Sequence, residues 1–211
     1  VSDLDKLAKD ESVKAVVLRI NSGGGSAYAS EQMWRAVQQL KAKKPVVVSM
    51  SGMAASGGYY LSCGADYIVA DKTTLTGSIG IFGMVPDASE LLTDKLGLHF
   101  DVVKTNVSSD FGAMGRGFNA AESAAMQNYV NRGYRLFLKR VADGRKMTPE
   151  QVDKIAQGRV WTGNQALKIK LVDKLGTLND AVAEAAKRAK LQDYAICTFP
   201  AKTPWFEQLM N

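Results

Sequence analysis

One histidine, two cysteines and five prolines among 211 residues leave several chemistries with little to work with. The cysteines, Cys63 and Cys197, form no CxxC and have no histidine cluster beside them, so zinc sites of the usual spacing are excluded. No run of eighteen apolar residues exists, so no segment reads as a membrane-spanning helix, and the opening residues do not have the form of a signal peptide. Phosphate fingerprints are missing as well: there is no GxxxxGKS/T, and "GGGSAY" does not fit GxGxxG. GxSxG, the nucleophile elbow of α/β-hydrolases, is also absent. Charge is only mildly one-sided, with 27 Lys and Arg against 21 Asp and Glu. These basic residues are scattered apart from small clusters such as Lys41, Lys43 and Lys44, with no basic stripe interleaved with aromatics. A nucleic-acid partner is therefore not expected, nor is a metal or cofactor. A modest attraction to an anionic membrane surface is compatible with the charge.

What is present is an ordinary globular composition, 46% apolar and 23% charged, in a chain long enough to bury one sizeable core. The opening "VSDLDKLAKD" enters a polar helical pattern without an initiating methionine, as in a piece of a longer chain. "VKAVVLRI" (13–20) predicts a buried strand that ends in the glycine turn "NSGGGS". Helical spacing follows over 30–43, and "KPVVVSMS" (44–51) predicts a second buried strand. A helix over 54–63 sits on that strand's end, and "DYIVAD" (66–71) predicts a third strand before the turn-rich "KTTLTGSIGIFG". A helix over 87–96 and a fourth strand, "HFDVVKT" (99–105), come next. Further on, helices are predicted over 122–143, 148–158 and 179–190, with a last strand at 193–199. Thr148, Pro149 and Gln151 form a capping-box start for the second of these helices. Alternating strands and helices imply an α/β fold, a mostly parallel sheet with helices on both faces.

Two glycine turns carry the chemistry. In α/β sheets ligands sit beyond the carboxyl ends of the strands, and "NSGGGS" (21–26) and "GMAASGG" (52–58) each follow a strand. If the two strands are neighbours, both turns face one crevice. Glycines there leave backbone N–H groups uncovered, and without a phosphate fingerprint their other use is an oxyanion hole. Ser56 with the N–H of Gly57 supplies half of such a site, and Gly24 or Gly25 could supply the rest. Ser56 has two plainer readings, as a helix cap or as a packing residue in a tight turn. A serine nucleophile needs a base. His99, the single histidine, opens a strand between Leu98 and Phe100 in the manner of a structural histidine, so a Ser-His-Asp triad is weakly supported. The other arrangement is Ser-Lys, in which apolar walls depress a lysine pKa by several units.

"VVLRINSGGGS", "PVVVSMSGMAASGGYYLSCGADYIVAD" and "TLTGSIGIFG" together resemble the signal peptide peptidase A (protease IV) family, over roughly residues 13 to 190. That family has the Clp-protease/crotonase-like spiral ββα fold, so residues 1–211 are expected to form a single crotonase-like serine-peptidase unit from a longer protein. The resemblance makes Ser56 the nucleophile, Ser78 of "TGSIG" the residue that holds the lysine base, and Gly24 the second oxyanion donor beside Gly57. Gly23 stands where the family usually has proline. Single-copy members carry the lysine in a pattern like "KSGxxKD"; here "KTNVSSD" (104–110) puts Ser109 in its place. The long form of the family has two tandem copies, the N-terminal one giving the lysine and the C-terminal one the serine. By that resemblance the chain is a C-terminal copy and its partner the N-terminal copy of the same protein. The implied assembly is a homo-oligomer, a ring-like tetramer, degrading cleaved apolar signal peptides. The implied location is the periplasmic face of a bacterial inner membrane, this segment itself being soluble. Met53, Tyr59, Ile79 and Phe82 are candidate pocket residues, although each also suits core packing. Three rivals remain: a silent crotonase-like scaffold, an acyl-CoA enzyme, and a Clp-type protease using His99 with Asp71 or Asp101.

Overall fold

Val46–Ala55 (β2) is the strand around which the rest is arranged. Its first five residues are all buried whichever way they point, the mark of a strand covered on both faces. The computed structural model, which describes residues 1–200, pairs β1 (Val16–Ser22) with β2 in parallel, from Val16 opposite Val46 to Ile20 opposite Met50. On the opposite edge β2 changes partner. β3 (Tyr67–Ala70) pairs with Val47–Ser49, and β4 (Leu75–Gly77) takes over at Met53–Ala55, both in parallel. β5 (Val160–Thr162) adds to β4 antiparallel, and β6 (Lys174–Leu175) adds to β3 in parallel. The sheet is thus mostly parallel, as expected, and β2 passes from β3 to β4 along one edge.

The two faces are covered by different helices. On one, Val47 and Val69 pack with Ala181 and Ala185 of α7 (Leu178–Arg188), the alanines letting the helix lie close to the sheet. The opposite parity, Val46, Val48 and Ile68, is fully buried too. There β2 meets α2 (Ala27–Lys41) and α3 (Gly57–Ser62), and α2 buries Val37 and Leu40 completely. α1 (Ser2–Lys9) packs on α2. The remaining helices are α4 (Ala120–Arg145), α5 (Pro149–Ile155) and α6 (Gly163–Lys168). The Thr148–Gln151 capping box is formed, and "TGNQ" and "TLND" make two more at α6 and α7. Among the described residues no helix is long and apolar enough to cross a membrane.

The described residues divide into two compact units: Val1–Gly80 with 137–200, and Ile81–Leu136. The first holds the sheet. Within the second, Arg116 donates to Asp110 and Glu122, Lys104 pairs with Asp110 at 2.7 Å, and Phe111 stacks on Phe118 at 4.7 Å.

Several expectations need correction. The strand expected at 99–105 is absent: those residues are irregular and Phe100, Val102 and Val103 are exposed. Alternating β-branched residues make a strand only where a neighbour offers an edge to pair with. The strand expected at 193–199 is absent for the same reason, with Tyr194, Ile196 and Phe199 exposed. The helix expected over 87–96 is shorter, covering 89–95, and is π-helical at Leu91–Lys95. The one expected over 54–63 starts at Gly57, because Ala54 and Ala55 bond to β4 instead. "KTTLTGSIGIFG", read as a turn, contains β4. The long helix keeps Phe137 and Val141 buried as expected, but Tyr129 on its supposed apolar side is exposed.

Candidate active site

Ser56 is the single residue between the end of β2 and the start of α3, with φ 50° and ψ −117°. A side chain at positive φ costs on the order of 1–3 kcal/mol, so such a residue persists only where its surroundings hold it. Here its N–H donates to the Gly77 carbonyl at 2.9 Å, and its carbonyl accepts from Tyr60 N–H at 2.8 Å. The helix it leads into is anchored by two tyrosines: Tyr59 donates to the Leu171 carbonyl and Tyr60 to Glu31. Glu31 is itself gripped by Arg140 through both oxygens. Burial, and then the Glu31 carboxylate, push the Tyr60 phenol upward, so it stays a neutral donor. Burial likewise pushes the Cys63 thiol up to about 12, which makes that cysteine an inert core residue.

The two glycine turns meet. Gly24, at φ 104°, lies so close that a Cβ on it would sit 2.7 Å from both Gly57 N and Ser56 Cβ. A Cβ on Gly57 would be 3.2 Å from Gly24 Cα and Gly25 N and would strike the buried Ser30 hydroxyl. One on Gly58 would be 2.8 Å from the Ser22 carbonyl. Ser56, Gly57 and Gly24 therefore share one crevice. As the first residue of α3, Gly57 has an N–H with no carbonyl partner inside its own helix. Gly24 N–H donates to Ser22 Oγ at 3.1 Å, so the second expected donor has an internal acceptor. The segment after β4 starts beside Ser56. Ser78 follows Gly77, the residue that holds Ser56 N–H, and is itself at φ 48° with its N–H on the Arg159 carbonyl at 2.7 Å.

The expected pocket residues separate. Met53 is exposed beside Gly23, and its register partner Leu75, which was not singled out from sequence, is exposed as well. Tyr59 and Ile79 are fully buried, so both serve packing and neither offers a surface to a ligand. Phe82 is exposed and belongs to the second unit. The Ser56 hydroxyl has no hydrogen-bond partner among the described residues. His99 is exposed in the second unit, Lys104 is the ion-pair partner of the largely buried Asp110, and Asp71 caps its own turn at Thr73. Among the described residues no cluster of side chains could hold a metal ion. Residues the sequence reading passed over are Ser22, which takes the Gly24 N–H, and Asn21, which takes the Met53 N–H. Their signal was the Asn-Ser pair placed directly before the glycine run.

The family model for peptidase family S49 matches residues 38–192, which include Ser56 and Ser78. The chain belongs to peptidase family S49. The model for Clp protease matches residues 1–72, the stretch that carries β1, both glycine turns and Ser56, in keeping with the Clp-protease/crotonase-like class of this S49 fold. Protease 4 of Salmonella typhi is 50% identical over 203 residues, 96% of this chain and 32% of that protein. Protease 4 of Haemophilus influenzae is 44% identical over 205 residues, 96% of this chain and 33% of that protein. The chloroplastic Serine protease SPPA of Arabidopsis thaliana is 35% identical over 192 residues, covering 90% of this chain and 28% of that protein. The S49 chain thus spans about a third or less of the length of these relatives.

Proposed function

We propose that this S49 chain is the nucleophile-bearing copy of a Ser-Lys peptidase whose lysine base comes from an N-terminal copy of the same protein. The observation that carries the reading is Ser56, strained at φ 50°, packed against Gly24 and Gly57, its hydroxyl unpartnered among the described residues. A neutral lysine, held by the Ser78 hydroxyl, takes the proton as Ser56 Oγ attacks a peptide carbonyl. The negative charge that develops on the carbonyl oxygen is met by the N–H groups of Gly57 and Gly24, the oxyanion replacing Ser22 Oγ on Gly24. The amine leaves with the proton, and water then hydrolyses the acyl-enzyme. The names of the relatives, Protease 4 and Serine protease SPPA, support the peptidase class.

The exposed Met53 and Leu75 suit an apolar substrate such as a cleaved signal peptide. A catalytic pair split between copies calls for an oligomer, for which we propose a tetramer held at the periplasmic side of a bacterial inner membrane by a segment outside this chain. The test is hydrolysis of an apolar peptide ester by this chain alone and with the N-terminal copy added. Turnover that needs both, and that vanishes in Ser56→Ala, supports the reading. Equal Ser56-dependent turnover by the chain alone overturns the split site. The unpartnered Ser56 hydroxyl also favours a second reading, a catalytically silent scaffold. That reading holds if an active-site serine probe fails to label Ser56 in the two-copy protein.

A further inference from the structure

The position of Gly24 against Ser56 depends on a slip in strand pairing. β1 and β2 run in even register from Val16 opposite Val46 to Ile20 opposite Met50, after which Ser22 lies opposite Ala54. Two steps along β1 are matched by four along β2, so β2 bulges by two residues between Met50 and Ala54. Continued without the slip, the register would bring Gly24 level with Ala54. With it, Gly24 comes level with Ser56, and that is where the close approach of the two turns occurs. The slip therefore decides whether an N–H from the first turn can reach an oxygen attached to Ser56.

A bulge leaves backbone groups without ladder partners, and these must be satisfied some other way. Three side chains contribute: Thr74, whose hydroxyl donates to the Ser51 carbonyl at 2.6 Å, and two from β1, two residues apart. The Asn21 side-chain oxygen accepts the Met53 N–H at 3.2 Å. Arg19 reaches over the same stretch, donating to Ser49 Oγ at 2.7 Å, to the Met50 carbonyl at 3.2 Å and to Ser51 Oγ at 3.0 Å. Arg19 has no carboxylate partner among the described residues; its polar contacts are all on the segment Ser49–Ser51. Together the two β1 side chains bind β2 from Ser49, at the end of the even register, to Met53 inside the bulge.

We infer that Arg19 and Asn21 are positioning residues: they hold the two-residue bulge of β2 and so set Gly24 at the height of Ser56. The inference rests on the proposed peptidase reading for its catalytic consequence but not for its structural one. Because the first turn would act on charge that develops during the reaction, its displacement lowers kcat and leaves KM nearly unchanged.

The experiment compares Asn21→Ala, Asn21→Asp and Arg19→Met in the two-copy protein. It reads kcat and KM on an apolar peptide ester, and amide hydrogen exchange at Met53 and Gly57. Asn21→Ala is expected to lower kcat by about tenfold to a hundredfold with KM within about twofold, since a misplaced donor forfeits most of what a removed one would. Exchange at Met53 should quicken while core amides of β2 stay protected. Asn21→Asp keeps the acceptor and should restore kcat to within about threefold of the parent. Arg19→Met keeps the apolar stem, loses the three donations and should move the same two readouts in the same direction. An unchanged kcat in Asn21→Ala, a loss that Asn21→Asp does not restore, or unchanged exchange at Met53 overturns the inference. If the parent protein shows no Ser56-dependent turnover, the peptidase reading is what fails. Met53 exchange alone then decides whether the clamp exists.

Discussion

The two compact units hold themselves together by different means. In the first, Val46–Met50 of β2 are buried on both faces, and the close approaches are made between backbones at glycines. In the second, Ile81–Leu136, the apolar side chains of Phe82, Met84, Val103, Val107 and Met114 are exposed. Through it runs a chain of charges beside the Phe111–Phe118 stack: Lys104 to Asp110, Asp110 to Arg116, Arg116 to Glu122. The Asp110 and Glu122 side chains are only 6% and 3% exposed, so these charges cannot exchange their partners for water without local opening. Hydrocarbon packing responds to lost volume, whereas a charge chain responds to pH and salt.

The widest separation between the units should come from the site itself. Ser56→Ala is expected to reduce peptide-ester turnover by the two-copy protein at least about ten-thousandfold, to background. His99→Ala in the second unit should leave it within about twofold, and a large loss there would break the comparison at its root. Gly24→Ala comes next. A Cβ at that residue meets Ser56 and Gly57 at a φ that only glycine adopts freely, so turnover should fall by about a hundredfold or more and stability by about 2–4 kcal/mol. Urea unfolding alongside steady-state kinetics checks both numbers.

A smaller contrast concerns packing. Val47→Ala opens a void under α7 and should cost about 2 kcal/mol, while Val103→Ser, at a fully exposed position, should stay within about 0.5 kcal/mol. Equal losses in chemical denaturation would mean the second unit buries Val103 in the working assembly.

The finest test is acid. The Arg116 guanidinium, with help from Asn119 N–H, holds the Glu122 carboxyl at about 2, down from 4.5. Its folded pKa is depressed, so its contribution to stability is complete above about 4.5 and is lost as pH falls through about 2. Limited proteolysis should therefore cut the 104–122 segment increasingly over that window while β2 resists, and Glu122→Gln should flatten the dependence. Asp110, held low by Arg116 and Lys104, adds to the loss in the same direction.

Much of the site was legible because its signals are short. The glycines after each strand and the lone serine between Ala55 and Gly57 mark two turns, and these do meet in the fold. The Thr148 cap could be read from four residues. The pocket was less legible. Tyr59 and Ile79 look like apolar neighbours of a catalytic serine, yet their direction depends on what covers α3 and β4, and both point into the core. "HFDVVKT" had the composition of a strand and lacked the edge to become one.

From sequence alone came the features set by a few adjacent residues: where β-branched runs extend, where glycine permits positive φ, and where a threonine caps a helix. These follow from steric limits and hydrogen bonds that act within one turn of chain. Tertiary structure alone decided the register slip between β1 and β2, the transfer of β2 from β3 to β4, and the burial of Tyr59. Each of these depends on which backbone edge or apolar face lies opposite, and such a partner is supplied by residues distant along the chain.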